Sequence, residues 1–339
     1  MSERRPKIKD IALRAGVSPA TVSRALSDSD LVTEATRERV HDIARALNYR
    51  PNVSARNLRT RKAMAVLMVV RDVGNPFYLD IFKGIEATAR AAGYSVLMGN
   101  TENDPGREQE YFSMLRDGHA DGMILMTGKL PLMSGDNALD LSDLAVVAAL
   151  EVLEDFGLPH VKVDNVGASR DAVQHLIDLG HRRIAHITGP LPELMSADRH
   201  DGYRQALQQA GIAATDGYEQ RGNYLLPSGQ AACRALFALP VPPTAIFCAN
   251  DEMAYGAVHE LRRLGRDVPG DVSVIGFDDL YLSQAFYPPL TTVSQPRTAI
   301  GRAAMQLLLK MLAGEHAPGE TVTLATELKL RDSTAAPKG

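Results

Sequence analysis

Apolar positions recur at helical spacing three times in the first fifty residues. Ile11 and Ala15 stand one turn apart with Ala12 and Leu13 nearby, and Gly16 follows as the permissive residue a tight helix-to-helix turn needs. Ser18 predicts an N-cap and Pro19 a first helical position, where its missing donor would be unpaired anyway. In the helix they open, Val22, Ala25 and Leu26 share one face of a 3.6-residue period, and Ala20, Ser23, Arg24 and Ser27 share the opposite one. A third helix is predicted after Thr33 as cap, with Glu34 in its first turn and an apolar stripe of Val40, Ile43, Ala44 and Leu47. Three such helices close one small all-α core. This helix-turn-helix pattern leaves the face carrying Ala20 and Arg24 outward, where it can be offered to the bases of DNA.

From residue 63 the pattern changes to short apolar runs alternating with longer amphipathic segments. Strands are predicted at 63–70, 95–99, 122–126, 146–150, 161–163, 184–188, 218–224, 245–248, 272–277 and 321–330. Helices are predicted at 77–92, 107–116, 169–179, 197–210, 228–239, 252–264 and 299–312, with 129–144 irregular. This is the rhythm of βαβ units on parallel sheets, with too many strands for one sheet of ordinary width. The α/β core is therefore expected to form two doubly wound parallel-sheet lobes, with a ligand cleft at the carboxyl ends of their strands. Those ends carry Asn75-Pro76-Phe77-Tyr78, Thr127, Glu151, Gly189-Pro190, Asn250-Asp251 and Asp278-Asp279. Singly, each has a plain reading: Asn250 and Asp251 as helix caps, Phe77 as core. Jointly they bring aromatic, amide and carboxylate groups to one cleft, able to sandwich a flat or sugar-like ligand and to fix its hydroxyls.

Charge sharpens the division. Residues 1–62 hold fourteen Lys/Arg against seven Asp/Glu, whereas the remaining chain holds 23 against 34, so the net charge of -4 conceals a basic head on an acidic body. That is the footprint of a nucleic-acid module joined to something else. At 339 residues and 45% hydrophobic, the chain is long enough for two or three domains with substantial cores. The N-terminus lacks a signal-peptide apolar core, and the early apolar run at 63–70 is far short of the roughly 20 residues of a membrane span, so a cytoplasmic protein without membrane contact is expected. Cys233 and Cys248 lie in apolar patterns without metal spacing and read as buried hydrophobes. His181, beside Arg182 and Arg183, reads as a solvated turn. Glycine-rich dinucleotide and phosphate-loop fingerprints and the nucleophile elbow are missing, and no nucleophile–base pair stands out. A binding module without cofactor or metal is expected in preference to an enzyme with an autoregulatory DNA head. The basic stretch 50–62 reads either as a plain tether or as a linker whose short helix, about 53–59, forms only when held.

Three blocks near the N-terminus, Ile8-Lys9-Asp10-Ile11-Ala12, Ala20-Thr21-Val22-Ser23-Arg24-Ala25-Leu26 and Asn48-Tyr49-Arg50-Pro51-Asn52, resemble the lactose-repressor family of transcription regulators. Asn75-Pro76-Phe77-Tyr78, Gly180-His181-Arg182-Arg183-Ile184, Pro243-Thr244-Ala245-Ile246-Phe247, Gly276-Phe277-Asp278-Asp279 and Pro289-Leu290-Thr291-Thr292-Val293 extend the resemblance nearly end to end. It implies a DNA-binding head at 1–50, a hinge at 51–62 and a core at 63–339 like type I periplasmic binding proteins. The core chain would cross between lobes three times, giving one lobe of about 63–164 and 295–324 and another of about 165–294 and 325–339. The resemblance further implies a homodimer on a near-palindromic operator, and the tail 331–339 has no heptads to build a tetramer. It assigns Ser18, Pro19, Ala20, Thr21, Ser23 and Arg24 to DNA, joined by Asn52, Ala55 and Leu58 of the linker, with Leu58 as a minor-groove wedge. In the cleft, Arg199, Asn250 and Asp278 would hold effector hydroxyls, Phe77, Tyr78 and Tyr224 would contact its rings, and Glu151 and Met195 would line the pocket. Phe247-Cys248, Pro288-Pro289-Leu290-Thr291-Thr292 and Gln295-Pro296-Arg297 resemble the nucleoside-responsive members. Residues 193–198 are typical of neither those nor the purine-responsive members, and Ala249-Asn250 resembles sugar-responsive ones. A nucleoside effector is expected, with a sugar or glycoside as the alternative.

Overall fold

The computed structural model describes residues 6–27, 30–49, 62–128, 130, 141, 143–151, 157–315 and 319–338. The chain divides into two compact units, Met1–Ala63 and Met64–Gly339. In the first, α1 (Ile8–Ala15), α2 (Pro19–Ala25) and α3 (Glu34–Ala46) close over Ile11, Ala12, Ala15, Val22, Ala25, Val40 and Ala44. Gly16 ends α1 in the left-handed region at φ 63°, and the N–H of Val17 returns to the carbonyl of Ala12 at 3.1 Å. The Ser18 hydroxyl accepts from the Thr21 N–H at 3.0 Å, capping α2. Thr33 stands at the cap position of α3, but its hydroxyl meets that of Thr36 at 3.0 Å and no helix N–H.

The second unit contains β1 (Ala65–Val70), α4 (Phe77–Ala91), β2 (Ser95–Asn100), α5 (Pro105–Arg116), β3 (Gly122–Leu125), β4 (Val146–Ala149) and β5 (His160–Val163). It continues with α6 (Asn165–Asp178), β6 (Ile184–Thr188), α7 (Leu194–Gln209), β7 (Glu219–Arg221), α8 (Leu226–Phe237), β8 (Ala245–Cys248), α9 (Asp251–Arg263) and β9 (Ser273–Asp278). Then follow β10 (Thr291–Ser294), α10 (Arg297–Ala313), β11 (Thr321–Leu324) and β12 (Glu327–Lys329). The strands form two six-stranded sheets ordered β11-β5-β4-β3-β1-β2 and β12-β10-β9-β8-β6-β7, the two α/β lobes the pattern predicts. Central strands such as β8 and β9 are buried along their whole length, as expected for parallel sheets covered on both faces.

Several elements depart from the sequence pattern. The run 321–330 is two strands in different sheets, and β12 lies antiparallel to β10, so the second sheet is mixed. The run 218–224 contributes only Glu219–Arg221, because Gly222 turns beneath Met253 and the carbonyl of Thr188, where a Cβ would collide. Residues 291–294, read only as a motif, form a strand of the second sheet, between β9 and β12. His181 is no solvated turn. It is 1% exposed, with Nδ1 2.9 Å from Thr244 Oγ1 and Nε2 2.9 Å from the Ala335 carbonyl, and it ties the C-terminal segment to the second sheet. Cys233 and Cys248 are free and buried, and burial pushes the Cys233 thiol up to about 12.

The chain passes between the sheets at three places: from β5 to α6, from β10 to α10, and from β11 to β12. The end of β11 pairs with that of β5 (Leu324 with Val163), and the start of β12 pairs with the end of β10 (Glu327 with Ser294). The three passages therefore lie side by side, with 324–327 in the middle. Among the described residues, no helix is long and apolar enough to cross a membrane.

Candidate functional site

Two surfaces gather the residues singled out by sequence. On the first unit, burial of Val22 and Ala25 turns the opposite face of α2 outward, so that Ser18, Pro19, Ala20 and Arg24 are exposed and Thr21 and Ser23 half-buried. Asn52, Ala55 and Leu58 lie outside the described residues.

On the second unit, the carboxyl ends of the strands enclose a cleft of about 160 Å³, lined by Phe77, Tyr78, Met195, Arg199, Tyr224, Asn250 and Asp278. Asp278 ends β9 with φ 116°, and Asp279 follows at φ 54°. Such backbone is costly for residues with a Cβ, and it clusters at ligand sites. The Gln295 amide donates to the Asp278 carboxylate at 2.8 Å, and Arg297 donates to the backbone carbonyl of Asp278. Burial pushes the Asp278 carboxyl up to about 6, with the Arg199 guanidinium, 3.7 Å away, pulling it back.

Arg199 projects from α7 and is 2% exposed. It donates to Asn165 Oδ1 at 2.9 Å and to the Ala249 carbonyl at 2.5 Å, and its guanidinium lies 3.8 Å from the centre of the Phe277 ring. Phe77 and Tyr78 open α4 as an edge-to-face pair with centroids 5.5 Å apart. Tyr224, at φ 67°, meets the Ser196 hydroxyl at 2.6 Å. Its ring fits only because residue 189 is glycine, since a Cβ there would lie 2.4 Å from Tyr224 Cζ.

The plain reading of Asn250 holds in part. Its Oδ1 caps α9 through the Met253 N–H at 3.0 Å, and its Nδ2 donates to the Tyr224 carbonyl at 2.9 Å, so both ends of the amide brace the cleft wall. Asp251 faces away from the cleft. It accepts from Thr292 at 2.5 Å, Ser283 at 2.6 Å and the Leu280 N–H at 2.8 Å, and burial pushes its carboxyl up to about 7.

Glu151 does not line the cleft; it lies behind Arg71, a residue the sequence reading missed. Arg71 follows β1, donates to the Thr127 carbonyl from Nε at 3.1 Å and Nη2 at 2.9 Å, and forms ion pairs with both Glu151 and Glu193. Glu151 also accepts from the Met195 backbone N–H, and burial raises its pKa against the pull of Arg71. Glu193 and Met195 belong to the second lobe, so the cluster clasps one lobe to the other. The one available signal was position: Arg71 sits at a strand end, like the residues that were singled out.

Such a head, joined to two parallel-sheet lobes around a cleft of aromatic and polar residues, defines a ligand-responsive DNA-binding regulator, and comparison with known proteins agrees. Residues 7–52 match the bacterial regulatory proteins of the lacI family, and residues 173–334 match the periplasmic binding protein-like domain. The HTH-type transcriptional repressor CytR of Escherichia coli (strain K12) is 41% identical over 330 residues, covering 97% of this chain and 96% of that protein. Catabolite control protein A of Priestia megaterium is 36% identical, covering 96% and 98%. Among solved structures, the lac repressor dimer bound to operator and the anti-inducer ONPF superposes with TM-score 0.86 at 26% identity, covering 98% of this chain and all of that one. The complex of transcriptional regulator CelR with cellobiose gives 0.72 at 32% identity, covering 97% and 100%. The chain belongs to the lacI family and is a DNA-binding transcriptional repressor, not an enzyme.

Proposed function

We propose that this repressor responds to a nucleoside, cytidine or adenosine, held in the cleft between the two lobes. The observation that carries the reading is the joining of two demands in one cleft. Asp278 and Arg199 are buried polar groups suited to a ligand rich in hydroxyls, and Phe77, Tyr78 and Tyr224 at the same mouth suit one with a flat face. A nucleoside meets both, its ribose against Asp278 and Arg199 and its base near the rings. The core motifs shared with nucleoside-responsive members support it. The protein acts in the cytoplasm as a homodimer on a near-palindromic operator, with Ala20 and Arg24 at base edges, and Asn52, Ala55 and Leu58 belong to the linker that completes the DNA contact.

A sugar is the second reading, favoured by the likeness to the CelR–cellobiose complex, because pyranose C–H faces also lie on aromatic rings. Calorimetry with cytidine, adenosine and a panel of mono- and disaccharides separates the two. Saturable binding of a nucleoside that is lost in Asp278→Ala is the expected result. Binding of a sugar alone, lost in the same variant, replaces it with the second reading.

A further inference from the structure

We infer that the cleft accepts its effector only in unphosphorylated form, an inference that rests on the cleft being the effector site. Proteins bind phosphate through arginine forks and through the free N–H groups at helix N-termini. This cleft holds both devices, and the protein's own oxygens already occupy part of each.

Arg71 is taken up by the Thr127 carbonyl, Glu151 and Glu193. Arg199 gives Nε to Asn165 and Nη1 to the Ala249 carbonyl, with Asp278 close by, and its Nη2 meets the Met195 sulfur at 3.7 Å. Three helices begin at the cleft. The first N–H of α4, on Phe77, is accepted by Asn75 Oδ1 at 2.9 Å. At the start of α7 the Met195 N–H goes to Glu151, and the residue before the helix is itself a carboxylate, Glu193. At the start of α9 the Met253 N–H goes to Asn250, and the first turn carries Asp251 and Glu252.

The charges on the wall point the same way. Asp72, Glu193 and Asp278 line the cleft against Arg71 and Arg199, with the buried Glu151 directly behind. A phosphate monoester brings about 1.5 to 2 further negative charges at neutral pH. It would meet these carboxylates at short range in a partly desolvated space, which is the arrangement that rejects a wrong ligand by like-charge contact. A neutral ligand escapes this penalty and still finds acceptors for its hydroxyl and amino donors.

The test is calorimetry on the full-length protein at fixed salt with matched pairs: cytidine and its 5′-monophosphate, adenosine and its 5′-monophosphate, ribose and ribose 5-phosphate. A 5′-O-methyl nucleoside controls for bulk. The neutral member of a pair is expected to bind at least about a hundredfold more tightly than its phosphorylated counterpart, with the methyl ether much closer to the parent. Glu193→Gln, which releases Arg71 from one carboxylate, is expected to narrow the ratio about tenfold. Circular dichroism establishes that the variant is folded, and the wild-type pairs decide the question without it. Equal or tighter binding of a phosphorylated member overturns the inference, as does equal rejection of the methyl ether. A neutral sugar that binds where nucleosides do not overturns the nucleoside reading alone, and the inference is then judged on the ribose pair. Binding of no member of any pair overturns the effector-site reading itself.

Discussion

Gly84 of α4 and Gly301 of α10 press each helix against the backbone of the other: a Cβ on Gly84 would lie 2.1 Å from the Thr298 carbonyl oxygen, and one on Gly301 2.0 Å from that of Ile81. The contact fixes α10 to the first lobe directly after the chain has left the second. Gly301→Ala must push the helices apart, and a core overpacked in this way loses typically about 1 to 3 kcal/mol. Denaturant unfolding of the second unit is expected to shift to lower midpoint by that amount. An unchanged midpoint would show that the helices yield freely.

Arg24 stands on the outward face of α2, within reach of a major groove if that helix docks there. A bidentate contact to guanine is worth about 1 to 3 kcal/mol of discrimination, so Arg24→Ala is expected to lose operator preference and keep most nonspecific affinity. Competition binding on operator and scrambled duplexes at one salt concentration measures the ratio. An unaltered ratio removes Arg24 from the base-reading face.

Asp278 gives effector binding a pH signature. Its folded-state carboxyl is raised to about 6, so the ionised form is disfavoured by folding; the group lowers stability above about pH 6, and that cost disappears as pH falls toward its ordinary range. A ligand hydroxyl that donates to Asp278 favours the ionised form, whose charge strengthens the bond. Affinity is therefore expected to be flat above about pH 7 and roughly tenfold lower at pH 5, and nearly flat in Asp278→Asn. Calorimetry from pH 5 to 8 provides the check, and affinity that rises on acidification contradicts the assignment.

The clasp around Arg71 makes a prediction about stability. Arg71→Met strands the Glu151 carboxylate, 3% exposed, without a counter-charge, and removing one member of a buried pair typically costs about 3 to 5 kcal/mol. The double variant Arg71→Met/Glu151→Gln is expected to lose much less. Thermal or denaturant unfolding of the four proteins in the cycle gives the coupling, and additive losses would show that the two residues act independently.

How far the sequence reveals this molecule depends on what each residue's neighbours are. The strands at 184–188 and 245–248 are found to the residue, because each is an apolar run bounded by a polar turn. The joint at 325–326 is invisible, because alternation of side chains continues through it while the chain changes sheets. Phe77, Tyr78 and Asp278, read from their places at strand ends, line one cleft with Arg199 and Tyr224, which only the family resemblance pointed to. Arg71, His181 and the bracing role of Asn250 escape, since each is defined by acceptors or donors dozens of residues away: Thr127 and Glu193, Thr244 and Ala335, Tyr224. A charged or amide residue beside a turn looks the same in sequence whether water or a distant carbonyl receives it.

The three neighbouring passages between the sheets leave the lobes a restricted freedom. Parallel straps set edge to edge behave like the spine of a book: they bend readily about the line joining them and resist both sliding and twisting. The grips at the cleft are fastened to that spine, Arg199 through Asn165 at the first strap and Asp278 through Gln295 and Arg297 at the second. A small molecule bound in the cleft against Arg199 and Asp278, as proposed above, would therefore act next to the axis, where a displacement of a fraction of an ångström becomes a much larger travel at the far edges of the lobes. Leverage, with no large local rearrangement, is what this arrangement supplies.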